Sequence, residues 1–174
     1  MQENWNQAYK EKNTPWRKTQ VNLEYFKNIV PKGKVLDVGC GTGEHAKWFH
    51  DNGYQVTGID FSSEAISIAQ KENPGPNYII FDIDSFIEEK HGLGVIGEKY
   101  DIVWDVTCYQ FLNNKTDYLN SVKKIMSGIF VIQVVVSSPN PEINTDIKEL
   151  EKELDKRFTF EKRTHGVGVT YICR

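Results

Sequence analysis

Lys34-Val35-Leu36-Asp37-Val38-Gly39-Cys40-Gly41-Thr42-Gly43-Glu44 is the stretch on which the reading of this chain turns. Lys34 to Val38 is a short β-prone run stopped by glycine. Glu44 to Asn52 has helical spacing through Ala46, Phe49 and His50, and Gly53 sits where a helix C-terminal glycine belongs. A strand, a glycine loop and a helix in that order expose backbone N–H groups and leave no Cβ in a ligand's way. Three glycines in five residues exceed what a plain turn needs. A second cluster, Gly92-Leu93-Gly94-Val95-Ile96-Gly97, matches G-x-G-x-x-G letter for letter. It follows a short polar helix (Phe86 to Lys90) and precedes a strand, so it reads as a connecting loop.

Strand and helix signals alternate on both sides of the first loop. Upstream, residues 3–12 and 18–30 read as helices, broken at Thr14-Pro15. Downstream come a strand at 55–59, a helix at 62–72, a strand at 78–81, a strand at 100–106 and a helix at 116–126. Ile129 to Val136 is wholly apolar, as a strand buried on both faces of a parallel sheet must be. Ile143 to Phe158 reads as a charged amphipathic helix, and residues 159–163 and 167–173 as a hairpin. The pattern predicts an α/β fold: a doubly wound, mostly parallel seven-stranded sheet with a C-terminal antiparallel hairpin, in a three-layer αβα sandwich.

Composition bounds the chemistry. At 174 residues the chain fits a single domain, 1–174, with a core of ordinary size. A hydrophobic share of 39% beside 26% charged residues describes a globular protein. The net charge of −3 argues against nucleic acid as the main partner. There is no signal-peptide pattern at the N-terminus, and Ile129–Val136 is too short to cross a bilayer, so no membrane partner is expected. Three scattered cysteines without C-x-x-C suit a reducing, cytoplasmic setting, and the four histidines lack ligand spacing, so no metal site is expected.

Two cofactors compete for the first loop. Gly41-x-Gly43-x-x-Ala46 fits the relaxed dinucleotide pattern, which keeps NAD open. Asp37, however, ends the strand just before the loop, where it repels a pyrophosphate and attracts a cation. Glu44 offsets the helix dipole that a phosphate would use. S-adenosylmethionine carries a sulfonium and an ammonium and has no phosphate, so the Asp37 carboxylate becomes an asset.

Val35-Leu36-Asp37-Val38-Gly39-Cys40-Gly41-Thr42-Gly43 resembles the first motif of the Rossmann-like (class I) S-adenosylmethionine-dependent methyltransferases. Gly58-Ile59-Asp60-Phe61-Ser62 is similar to their second motif, Phe81-Asp82-Ile83 to the third, and Lys99-Tyr100-Asp101-Ile102-Val103-Trp104-Asp105 to the fourth. The likeness spans residues 34–136. It implies a cofactor site of Asp37, Gly39, Cys40, Gly41, Gly43, Asp60, Phe61, Asp82 and Ile83. In that site Asp60 takes the ribose hydroxyls, Asp82 meets the adenine amino group and Ile83 packs on the ring. Structural readings stand beside these: Asp60 with Ser62 capping the next helix, and Asp82 or Asp84 shaping a turn.

On the acceptor side, Asp105-Val106-Thr107-Cys108-Tyr109-Gln110-Phe111 resembles the fourth-strand segment of small methyltransferases of the thiopurine and tellurite-resistance kind. It lacks the Asn/Asp-Pro-Pro-Tyr signature of enzymes that methylate nucleobase or glutamine amino groups. Asp105 is the candidate for orienting the acceptor or removing its proton, with helix capping as the alternative. Tyr109 stacks on donor or acceptor, or packs the core. Cys108 reads as a small buried filler. Trp5, Tyr9 and Trp16 resemble a W-x-x-x-Y…P-W opening that folds over the cofactor, making residues 1–30 a helical lid; the alternative is that the rings pack the first helix on the sheet. The resemblance implies methyl transfer to a small-molecule acceptor by in-line displacement. A non-catalytic cofactor-binding subunit and an NAD-dependent oxidoreductase remain as alternatives, and the acceptor atom is open among N, O and S.

Overall fold

Apolar runs bounded by glycine and polar caps become strands and helices largely where the sequence puts them. The computed structural model describes residues 2–11, 13–14, 23–29, 32–84 and 99–174. In chain order the described elements are α1 (Gln2–Lys10), α2 (Leu23–Lys27), β1 (Lys34–Val38), α3 (Glu44–Asp51), β2 (Gln55–Asp60), α4 (Ser63–Glu72) and β3 (Asn77–Ile80). They continue with β4 (Tyr100–Val106), a 3₁₀ turn (Tyr109–Phe111), α5 (Lys115–Ile125) and β5 (Met126–Val135). A second 3₁₀ turn (Pro141–Ile143), α6 (Ile147–Asp155), β6 (Phe160–His165) and β7 (Gly168–Cys173) complete them. Among the described residues seven strands form one sheet in the order β3-β2-β1-β4-β5-β7-β6. This is the doubly wound, mostly parallel sheet with a terminal antiparallel hairpin that the alternation predicts.

The chain forms two compact units, 1–81 and 82–174. In the first, β1 pairs parallel with β2 and β2 with β3. Val35, Leu36 and Val38 of β1 are wholly buried, together with Ile59, Phe49, Ala46, Ala65 and Ala69. In the second, β4 pairs parallel with β5, and β7 runs antiparallel to both β5 and β6. Its core is aromatic: Trp104, Tyr118, Phe130 and Tyr171 are fully enclosed, and Tyr118 meets Phe130 edge-on at 6.3 Å.

Two stretches depart from the sequence reading, the junction before β5 and the start and end of α6. The helix expected over 116–126 ends at Ile125, and the strand expected at 129 starts at Met126. Met126-Ser127-Gly128 is therefore strand rather than turn. The Ser127 hydroxyl donates to the Tyr100 carbonyl at 3.0 Å, and any Cβ on Gly128 would overlap the Asp101 carbonyl oxygen, so the two backbones pass too closely for a loop. The helix expected over 143–158 is confined to Ile147–Asp155, because the Asp146 carboxylate accepts the Lys148 and Glu149 N–H groups and fixes its start. Upstream, Asn144 exchanges hydrogen bonds with the Ser138 backbone and holds 138–144 as a separate loop. Of the helix expected over 18–30, Leu23–Lys27 is helical and residues 28–29 form a turn, while 18–22 and 30 lie outside the described residues. The expected helix at 86–90 and the Gly92–Gly97 loop lie outside the described residues.

Candidate active site

The glycine loop is built from backbone conformations that only glycine adopts cheaply. Gly39, Gly41 and Gly43 have φ of +65°, +53° and +84°. The Cys40 N–H donates to the Ile59 carbonyl and the Gly43 N–H to the Cys40 carbonyl, both at 2.9 Å, so the loop is tied to the end of β2 and to itself. Behind it stands Tyr78, whose hydroxyl lies 2.8 Å from the Asn73 carbonyl and 3.3 Å from that of Gly43. A Cβ on Gly43 would overlap that hydroxyl, and one on Gly58 would come within 2.9 Å of the Tyr78 ring and 3.0 Å of Cys40 Sγ. The Cys40 side chain thus lies behind the loop, beside Gly58. Asn73 donates to the Thr42 carbonyl at 2.8 Å.

Asp60 binds the loop to the second strand. One carboxylate oxygen accepts the Gly41 N–H at 3.0 Å and the other the Ser62 N–H at 2.8 Å. Burial raises its pKa, and the backbone bonds from Ser62, Gly41 and Phe61 oppose that rise. Helix α4 is capped by the Ser62 hydroxyl, which accepts the Ala65 N–H at 3.1 Å, so the cap reading belongs to Ser62 while Asp60 organises the loop. Asp37 is buried at the end of β1. The carboxylates of Asp37 and Glu44, with Cys40, push the Tyr78 hydroxyl further above its usual range, beyond what burial does.

The N-terminal helix reaches the same region. Asn6 accepts the Ser62 hydroxyl at 2.6 Å, Trp5 meets Phe61 edge-on at 6.4 Å, and the Tyr9 hydroxyl would lie 3.0 Å from a Cβ on Gly41. Tyr9 is buried there. Trp16, the remaining ring of the expected lid, lies outside the described residues.

In the second unit the fourth strand ends in a tight polar cluster. Asp105 is wholly buried; its Oδ1 accepts the Cys108 and Tyr109 N–H groups at 3.0 and 3.1 Å, and its Oδ2 the Tyr118 hydroxyl at 2.7 Å. Burial pushes its pKa up to about 6 against those three bonds. Thr107, between the acid and its targets, has φ of +67°, an outlier for a β-branched residue. Its N–H donates to the Gln133 carbonyl at 2.8 Å. Tyr109 is buried against Tyr118 at 6.2 Å, with Lys115 Nζ 5.7 Å above its ring. Asp82 accepts the Asp84 N–H at 3.1 Å in the manner of a turn residue, Ile83 is buried, and Asp84 in turn holds the Asn113 backbone and side-chain amides. Among the described residues no group of three or more His, Cys, Asp or Glu could hold a metal ion, and no helix is long and apolar enough to cross a membrane.

The sequence reading did not pick out Tyr78, Asn73 or Asn6, whose partners are distant in sequence. Tyr118 shares one helical face with Val122 and Ile125, a spacing that marks it as buried and is silent about Asp105.

The doubly wound sheet, the glycine loop after β1 and the acid ending β2 together define a class I, Rossmann-like methyltransferase fold. Residues 36–132 match the family described as methyltransferase domain, and the chain belongs to that family. Among curated proteins it is 21% identical over 122 residues to malonyl-[acyl-carrier protein] O-methyltransferase of Enterobacter lignolyticus, covering 69% of this chain and 46% of that protein. The chain spans about half the length of the curated relatives it matches. Among solved structures it resembles a TehB-like SAM-dependent methyltransferase from Corynebacterium glutamicum, with TM-score 0.70, 16% identity and coverage of 99% and 96% of the two chains. TehB from Haemophilus influenzae gives TM-score 0.72 and 22% identity, over 97% of this chain and 66% of that one.

Proposed function

We propose that this chain acts as one domain, 1–174, that transfers a methyl group from S-adenosylmethionine to a small-molecule acceptor in the cytoplasm. The observation that carries the reading is the Asp60–Gly41 hydrogen bond, which joins the acid of β2 to the bare glycine backbone. The donor set fits the cofactor: buried carboxylates at Asp37 and Asp60 suit a cation and ribose hydroxyls, and Glu44 opens α3 where a phosphate would need a bare helix N-terminus. When bound, S-adenosylmethionine supplies a methyl group already activated by its sulfonium.

Each residue then has a part. Asp37 balances the donor's positive charge, and Gly39, Cys40, Gly41 and Gly43 offer backbone against which it lies. Asp60 keeps lone pairs for ribose hydroxyls beside its two backbone bonds. Asp82 would accept from the adenine amino group and Ile83 would pack on the ring. On the acceptor side the turn at Cys108 and Tyr109 orients the nucleophile, so that much of the rate comes from positioning. Asp105 serves that turn as its anchor: all three of its observed bonds go to the protein.

Calorimetry with S-adenosylmethionine and NAD side by side tests the cofactor. Micromolar binding of the methyl donor with none of NAD supports the reading, and the reverse overturns it. An acceptor screen that detects S-adenosylhomocysteine release tests catalysis. Carboxylates and hydroxyls go first, since the Enterobacter relative is by name an O-methyltransferase.

A further inference from the structure

We propose that Tyr118 is a positioning residue for methyl transfer: by donating its hydroxyl to Asp105 it holds the carboxylate that fixes the backbone of Cys108 and Tyr109. The proposal rests on the methyltransferase reading above, but the clamp itself can be tested without it. The Tyr118 ring is enclosed between Tyr109 at 6.2 Å and Phe130 at 6.3 Å, so a phenylalanine would fill the same space. The hydroxyl is what the packing does not require, and it reaches Asp105 Oδ2 at 2.7 Å.

The three groups that bond Asp105 all donate, and an ionised carboxylate can accept from all of them. Protonation puts a hydrogen on one oxygen: on Oδ2 it makes the Tyr118 hydroxyl an acceptor, and on Oδ1 it displaces a backbone N–H. The charged form is costly in a fully buried site, and the adjoining Thr107 is strained at φ of +67°. Two costs within three residues at the end of β4 mark a turn held in one shape for a purpose other than stability. The titratable groups around it are Cys108 and Tyr109 of the turn and Tyr118 of α5. Glu149 and Glu153 of α6, with Arg157 just beyond it, act on Tyr109, as does Lys115 above its ring. Asp105, at about 6, is ionised at neutral pH, and losing the Tyr118 bond moves it toward the neutral range, where the bonds to Cys108 and Tyr109 lose their charge assistance and the clamp weakens.

The test is Tyr118→Phe. Carboxyl carbon NMR titration of Asp105 is expected to show its midpoint rising by about one pH unit, the worth of one hydrogen bond to a charged group. Protection of the Cys108 and Tyr109 amides against hydrogen exchange at neutral pH is expected to fall about tenfold. With an acceptor from the screen, the acid limb of kcat/KM moves up in step with the carboxyl midpoint. An unchanged midpoint and unchanged protection in a folded variant overturn the proposal, as does a kcat/KM limb that stays put while the midpoint moves. If no acceptor is found, the function fails while titration and exchange still decide the clamp. Should Tyr118→Phe not fold, Asp105→Asn replaces it: protection of the two amides should lose its dependence on pH, and a dependence like the parent's overturns the proposal.

Discussion

Gly39 and Thr107 each follow the last residue of a parallel strand, and their φ angles are nearly equal at +65° and +67°. One bend is made by a residue to which the left-handed region costs nothing; the other by a β-branched residue that adopts it only under constraint. At Gly39 the conformation is local, and Tyr78, Asp60 and Asn73 back the loop behind it. At Thr107 it is imposed from outside: Gln133 accepts the N–H, and Asp105 ties down the two residues that follow. The fold thus has two ways of turning the chain above a strand, one built into the residue and one into its partners. They should fail differently.

The largest effect is expected at the glycine loop. Gly43→Ala meets both a φ of +84° and the Tyr78 hydroxyl, with strain and overlap together costing about 3–4 kcal/mol. Donor binding by calorimetry should vanish. Gly166→Ala serves as the control, since its φ is +52° but a Cβ there meets nothing within 4 Å; it should cost about 1 kcal/mol and leave binding intact. Equal losses at both sites would show that backing by Tyr78 is irrelevant.

Acid separates the two regions with opposite signs. His45, on the first turn of α3, has its pKa lowered to about 4 by burial, against the pull of Glu44. Its unfolded form takes up a proton that the folded form refuses, so between pH about 6.5 and about 4 acidification removes at most about 3 kcal/mol. Asp105 is raised to about 6, so the folded form holds the proton more tightly, and acidification over about pH 6 to 4 returns at most about 3 kcal/mol. Urea denaturation should find His45→Gln more stable than the parent near pH 4 and no different at pH about 8. Asp105→Asn should be the more stable at pH about 8, with the gain fading below pH about 5. A parent and both variants with parallel pH profiles would remove the contrast.

What could be read in advance follows the same division. The glycine loop, the acid at 60 and the alternation of elements were legible because each depends on residue type at a fixed offset along the chain. The clamp was legible only in part: Asp105 stood out as an acid at a strand end, and capping was one of its two readings. Its third partner, Tyr118, lies thirteen residues on and looks like any aromatic on a helix's buried face. The strain at Thr107 was invisible, since nothing in threonine announces a positive φ. The early start of β5 was hidden likewise, because Ser127 and Gly128 resemble a turn until the Tyr100 and Asp101 backbone is set beside them.

Asp60 probes the join between local and imposed order at a smaller scale. Asp60→Asn keeps the shape but replaces one acceptor oxygen by an NH2 donor, so one of the two backbone bonds is lost with part of any hold on ribose hydroxyls; donor affinity should fall about tenfold and stability by about 1–2 kcal/mol. Calorimetry beside thermal denaturation distinguishes the two losses. Unchanged affinity in a folded variant would remove Asp60 from the donor site and leave it as the loop's strut alone.

The smallest effect is the most pointed. Thr107→Gly puts at the end of β4 what the end of β1 already has. Relief of the left-handed strain is worth about 1–2 kcal/mol, and the entropy of a glycine in the unfolded chain takes back about 1. A net gain of under about 1 kcal/mol is therefore expected. If strain were all that distinguished the two bends, the variant would be slightly more stable and otherwise unaltered. On the clamp argument it is slightly more stable and worse at holding Cys108 and Tyr109, because the threonine's narrow conformational range limits the turn as much as Asp105 does. Lower amide protection at 108 and 109 in a chain with a higher melting temperature would show that rigidity here was kept at the expense of stability. Equal protection would reduce Thr107 to an accident of the strand's end and leave Asp105 and Tyr118 to hold the turn by themselves.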